Sequence, residues 1–323
     1  MLSPIEWPIW LGVAGFVLVL LLLDLFVFHR EAHAVSVREA LGWSVGWAAL
    51  GLAFSGVIWL LYERHGVGLG ADAVGQYLAG YLIELALSVD NIFVFAVVFA
   101  YFAVPARYQH RVLFWGVVGA IVFRVIFILA GAALLKNFHW IIYGFGALLV
   151  FTGIKMALGK AEHTHPERNP VLRLIRRFVP LLNEYRGQAF FVREAGRLAA
   201  TPLFAVLLVV ETTDVLFAVD SIPAIFSVTA DPFIVFSSNA FAILGLRSLY
   251  FVLADMMGRF VYLKFGLGAV LVFAGAKMLL SETPYKVDTW LSLEIIAGIL
   301  VASIVVSLLA TRGLPATRVF TDA

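Results

Sequence analysis

Glu84-Leu85-Ala86-Leu87-Ser88-Val89-Asp90-Asn91 decides how this chain is read, because a second version of it follows 130 residues later. That version is Asp214-Val215-Leu216-Phe217-Ala218-Val219-Asp220-Ser221. In each, an acid is followed six residues on by an Asp and then by a small polar residue, in apolar surroundings. A charge at the centre of a membrane helix costs about 2.5–3.5 kcal/mol on insertion scales. Four acids at that cost call for a role that packing alone does not supply.

The surroundings are those of a polytopic helical membrane protein. Of 323 residues, 62% are hydrophobic and 14% charged, against roughly 25% charged in a soluble domain. A membrane barrel would show short alternating segments instead. The chain has no cysteine, which excludes disulfides and thiolate metal sites. Apolar runs of spanning length fall at 7–28, 39–61, 73–101, 111–135, 138–158, 202–228, 232–256, 261–280 and 291–311. The expectation is an all-α fold of about nine transmembrane helices. The first run lacks a preceding basic segment and is too long for a signal peptide, so it reads as a retained span. Placing the N-terminus outside and the C-terminus inside puts sixteen basic residues on the cytoplasmic side. Only Arg64, Lys136 and Lys286 then lie outside.

Working outward, each acidic stretch opens a unit of three runs. The first unit carries Glu84, Asp90 and Asn91, then Arg124, then Gly144-Phe145-Gly146 through Gly153-Ile154-Lys155-Met156. The second carries Glu211, Asp214, Asp220 and Ser221, then Arg247, then Gly266-Leu267-Gly268 through Gly275-Ala276-Lys277-Met278. Three is odd, so the second copy enters the membrane from the opposite side. That is an inverted repeat of three helices each, an architecture of secondary transporters with the site near the midplane. The organisation expected is two N-terminal helices (1–72), a first repeat (73–158), a basic cytoplasmic loop (159–200), a second repeat (201–280), and a ninth helix with a cytoplasmic tail (281–323). The loop contains the basic amphipathic piece Leu172–Val179, expected to lie on anionic lipid. Lys155 and Lys277 are expected to be interfacial anchors.

Glu84 and Asn91 are two helical turns apart and share a face, as do Asp214 and Ser221. Asp90 and Asp220 lie about 120° off those faces. The expectation is that Asp90 and Asp220 converge from two helices, joined by Asn91 and Ser221, while Glu84 and Asp214 line the approaches or form a second site; Glu211 is a further candidate metal ligand that adds to the net negative charge. Carboxylate, amide and hydroxyl oxygens suit hard divalent cations such as Mn²⁺, Mg²⁺ or Ca²⁺. Arg124 and Arg247 read as charge-balancing groups, either neutralising an acid or releasing it when an ion binds. Asp24 reads as an acid near the inner interface, with a gate as its functional alternative.

Two further stretches resemble the TerC family in its Alx-type branch. They are Glu211-Thr212-Thr213-Asp214 through Asp220-Ser221-Ile222-Pro223-Ala224-Ile225, and Ser238-Asn239-Ala240 through Leu246-Arg247. Glu84 through Asn91 and Phe190-Phe191-Val192-Arg193-Glu194 are similar to it as well. The resemblance implies an inner-membrane, multi-pass protein of metal-ion homeostasis, with manganese export as the leading activity and a link to tellurite resistance. The expected function is a secondary exporter of a divalent cation, Mn²⁺ first, with Ca²⁺ or Mg²⁺ as alternatives, by proton exchange. The competing expectation is a non-transporting membrane scaffold of a stress response. No HExxH and no Ser–His arrangement is found, so the chain reads as a non-enzyme without a cofactor. Its partners are a divalent ion and the bilayer, not nucleic acid.

Overall fold

The computed structural model describes residues 3–23, 37–138, 140–158, 180–182, 184–194, 197–254, 260, 262–281 and 283–312. Among them the chain forms α1 (Trp7–Leu23), α2 (Val37–Glu63), α3 (Leu69–Tyr101), α4 (Ala106–Asn137) and α5 (Ile141–Ala157). An antiparallel strand pair follows, β1 (Phe191–Glu194) with β2 (Arg197–Ala200). Then come α6 (Pro202–Phe226), α7 (Pro232–Leu244), α8 (Leu246–Ala254), α9 (Leu263–Leu279) and α10 (Thr289–Ala310). Asp24, the amphipathic piece 172–179 and Arg259 lie outside the described residues.

Five helices, α2, α3, α4, α6 and α10, are long and apolar enough to cross a bilayer. The pair α7–α8, bent by 45°, meets the same criterion as one broken span. The break falls at Gly245, a residue that weakens helices. Helices α1, α5 and α9 have 17 residues each, about 26 Å, slightly less than the roughly 30 Å hydrocarbon core. Among the described residues these helices overlap the nine apolar runs, and five of them, or six with the bent pair, meet the spanning criterion.

Helix α3 is the hub. It packs against α2, α6, α7, α8 and α10, and its 33 residues extend about 50 Å. Large apolar side chains point outward from the periphery, among them Leu52 and Leu60 on α2, Val122 and Ile126 on α4, and Val301 and Val305 on α10. Tyr62, in the last turn of α2, donates a 2.7 Å hydrogen bond to Asp231. Asp231 also caps α7 by accepting from the Phe233 amide at 2.9 Å. The end of α2 and the start of α7 therefore meet at one face of the molecule.

The repeat is visible in the packing of α5 on α9. A Cβ on Gly153 would stand 2.6 Å from the Gly268 carbonyl oxygen, and one on Gly275 would stand 2.6 Å from the Gly146 oxygen. No side chain fits at that separation, so the two backbones touch through glycine, as small residues allow in membranes. Seven residues forward on α5 match seven backward on α9, so the helices run antiparallel. The sequence repeat maps Gly146 onto Gly268 and Gly153 onto Gly275. It therefore exchanges one of these contacts for the other, which is the action of a two-fold axis that reverses helix direction.

The all-α fold carries one short non-helical addition. Residues 191–194 and 197–200 pair as antiparallel strands, with Phe191 opposite Ala200 and Glu194 opposite Arg197. The aromatic and β-branched start of this segment, Phe190-Phe191-Val192, favours strand, and the Phe191 ring packs 4.4 Å from that of Phe204 on α6. The stretch before it does not lie free: Tyr185 donates to the Phe102 carbonyl at 2.7 Å. Arg111 donates to Gln188 at 3.3 Å. Burial pushes the Tyr185 hydroxyl up to about 12. The segment thus ties the α3–α4 turn to the start of α6.

Candidate ion site between α3 and α6

Helices α3 and α6 cross the core antiparallel. Gly80 approaches Ile225, and eleven residues further on Asn91 donates to Asp214 at 3.4 Å, eleven residues back from Ile225. This register sets Ser221 opposite Glu84, the mirror of the Asn91–Asp214 contact under the repeat. Glu84, Ser88, Asn91, Asp214 and Ser221 are all buried.

Arg124, from the middle of α4, reaches into this junction and is 2% exposed. Its Nη1 pairs with Glu84 Oε1 and donates to Asn239 Oδ1 on α7 at 2.8 Å. Its Nη2 stands 3.8 Å from Asp214 Oδ1. Ser88 donates to Glu84 Oε1 at 3.0 Å, and Asn239 is held by its own bond to the Val235 carbonyl at 2.9 Å. One guanidinium therefore joins the first acids of both repeats. The network is incomplete among the described residues. Glu84 Oε2, Asp214 Oδ2, Ser221 Oγ and Arg124 Nε are buried without a hydrogen-bond partner. Unsatisfied groups in a low-dielectric interior are costly, and four of them gather at this one junction.

Asp90 and Asp220 stand apart from this centre. Both are half-buried. Asp220 accepts from Thr152 of α5 at 3.1 Å, and the Lys155 ammonium acts on the same carboxylate. Among the described residues no hydrogen bond joins Asp90 to Asp220. The antiparallel register is the reason, because it leaves them five residues, roughly 7.5 Å, apart along the axis. Asn91 and Ser221 follow Glu84 and Asp214 instead. The pair that converges is thus the one expected to line the approaches. Glu211 is half-buried, its carboxylate packed against Gly119 of α4, with Oε2 unpaired. Among the described residues no three His, Cys, Asp or Glu side chains are grouped so as to hold a metal.

The two arginines differ. Arg247, at the start of α8, donates to His110 Nε2 of α4 at 2.8 Å and is not placed among the central acids. The two lysines differ as well. Lys155 is exposed, yet close enough to act on Asp220. Lys277 is buried beside Asp288 and Lys286 instead of reaching solvent. Sequence reasoning missed Asn239 and Thr152 as contributors. The run Ser237-Ser238-Asn239 inside an otherwise apolar helix was the available signal for Asn239.

The sequence profile of the integral membrane protein TerC family matches residues 69–313. The chain belongs to the TerC family. The matched segment runs from the first residue of α3 to just past α10, so the family profile covers the whole acidic junction. A membrane protein of Myxococcus xanthus, of uncharacterized function, is 51% identical over 307 residues, covering 95% of this chain and 94% of its own. Alx of Salmonella typhi, provisionally named a membrane-bound redox modulator, is 46% identical over 301 residues, with 93% of each chain covered. Alx of Escherichia coli K12 is likewise 46% identical, with 93% of this chain and 94% of its own covered. No solved structure matches the chain.

Proposed function

We propose that this TerC-family protein is a secondary transporter that exports a divalent metal cation from the cytoplasm in exchange for protons. Mn²⁺ is the first candidate, with Ca²⁺ and Mg²⁺ as alternatives. The observation that carries this reading is the buried junction of the two repeats, where oxygens of Glu84, Asp214 and Ser221 lack partners. Carboxylate, hydroxyl and amide oxygens are the donors that hard divalent cations prefer. Glu84 and Asp214 form the ligand core with Asn91 and Ser221. Asp90, Asp220 and Glu211, half-buried around it, line the approaches and take up protons when the ion leaves. Metal release and proton uptake are linked because a nearby cation keeps these surrounding acids ionised and its departure favours their protonated form.

The protein resides in the cytoplasmic membrane, with its N-terminus outside and its C-terminus inside. A redox role such as the Alx name describes would act in this chain through metal supply, because it has no cysteine. A second reading, a non-transporting scaffold, is favoured by one observation: Arg124 already joins Glu84 and Asp214. The test is metal transport in proteoliposomes across Mn²⁺, Ca²⁺, Mg²⁺ and Zn²⁺ with an imposed proton gradient. Gradient-driven Mn²⁺ movement, lost in Asp214→Asn, supports export. No movement of any of the four ions by well-folded protein favours the scaffold. Single cysteines introduced at Ala161 and Pro232 of this cysteine-free chain are expected to label from opposite sides, and labelling from one side overturns the inverted topology.

A further inference from the structure

Arg124 is oddly placed for a purely structural counter-ion. It carries one charge between two buried carboxylates, and its position in the other repeat is filled by Arg247, which faces a histidine. An arginine built in only to fix the fold is normally satisfied at all its donors, yet its buried Nε has no partner. Its Nη1 already bonds the Asn239 carbonyl oxygen on the side of α7, a second resting place next to the first.

Charge sharpens the point. A guanidinium stays ionised in proteins, so with both carboxylates ionised the metal-free centre of Glu84, Asp214 and Arg124 would carry a net charge of minus one. A divalent ion on the same two carboxylates makes them neutral without the arginine. With the arginine still in place, two cations would share one dry site, and their repulsion is weakly screened there. Metal and guanidinium are competitors for the same oxygens.

We propose that the Arg124 guanidinium is a tethered counter-cation that holds Glu84 and Asp214 while the site is free of metal and gives way toward Asn239 when a divalent cation takes the carboxylates. This rests on the divalent-transport reading above and adds to it a residue that sets affinity and release. The tethered charge keeps the acids from binding the ion too tightly to let it go, and it re-covers them as the ion departs.

The test uses the full chain, in proteoliposomes for KM and maximal rate and in detergent for the Mn²⁺-induced shift in melting temperature. Arg124→Gln removes the competitor. It is expected to tighten apparent Mn²⁺ affinity about tenfold, within the usual range for coupled sites, and to slow the maximal rate by at least as much. Asn239→Ala removes the retreat position and is expected to move affinity the other way. Because Arg124→Gln leaves two buried acids without a counter-charge, the double variant Arg124→Gln/Glu84→Gln keeps the net charge at minus one and guards against misfolding. Glu84→Gln alone weakens Mn²⁺ binding, and adding Arg124→Gln to it is expected to restore affinity, a non-additivity that shows competition. Unchanged or weaker affinity in Arg124→Gln and no restoration in the double variant overturn the proposal, while wild-type transport would leave the function standing. A wild-type protein that responds to none of the four metals removes the function and the proposal together.

Discussion

Arg124 and Arg247 occupy matching places in two repeats of one sequence idea, yet they live in different chemistry. Arg124 lies in mid-helix on α4 and is buried between two acids and an asparagine. Arg247 follows the break at Gly245, where the matching span splits into α7 and α8, and it meets the His110 ring. A break of 45° re-aims the residue that follows it. Duplication supplied the two-fold scaffold, and one broken helix removed the symmetry where the charge is. The glycine contacts of α5 on α9 keep the symmetry, because packing there depends only on the absence of side chains.

The largest effect that tests this contrast is on stability. Arg124→Ala is expected to destabilise by about 3–5 kcal/mol, the cost of removing one partner from a buried charge pair. Arg247→Ala is expected to cost less, about 1.5–3 kcal/mol, the range for a hydrogen bond made by a charged group. Melting in detergent with matched lipid reads both. Equal losses would mean that the asymmetry between the repeats has no energetic weight.

The second contrast concerns Asp220 and Asp90. Thr152 supports Asp220, and the position matching Thr152 in the second repeat is Ala274. Asp90→Asn and Asp220→Asn are each expected to lower Mn²⁺ transport at least about tenfold with normal expression, since removing a charge from an apolar setting relieves a desolvation cost. Thr152→Ala is expected to act on the Asp220 side alone, raising KM about fivefold for the loss of about 1 kcal/mol of hydrogen bonding. Wild-type rates in both Asp variants and in their combination would remove these carboxylates from the pathway.

The smallest effect lies at the face where α2 meets α7. Burial raises the Asp231 carboxyl above the ordinary carboxylate range, although the bonds from Tyr62 and the Phe233 amide pull against that. A raised folded value means that this group contributes stability fully present at low pH and lost as pH rises through the raised value. Asp231→Asn is expected to flatten that slope in melting curves taken across pH. Tyr62→Phe is expected to cost about 0.5–1.5 kcal/mol and to leave transport unchanged. A stability that rises with pH through the acid range at this face would contradict the assignment.

The sequence by itself determined the membrane class, the nine apolar runs, the repeat and the places of its intramembrane acids. These are one-dimensional quantities: hydropathy over about 20 residues, and the order of charges in apolar runs whose cost makes them informative. It also contained the glycine pattern whose two contacts the repeat exchanges. Which acids meet was decided only by the tertiary structure. Spacing within a helix fixes faces but not the register between helices. The antiparallel register of α3 against α6 sets Asn91 opposite Asp214 and, among the described residues, leaves Asp90 and Asp220 with no hydrogen bond between them. Asn239 and Thr152 were invisible as partners for the same reason, each reaching its charged neighbour across 115 and 68 residues of chain. The break at Gly245 turned two equivalent arginines into different groups, because a side chain's direction follows the local helix axis and no pattern of residue types encodes that axis.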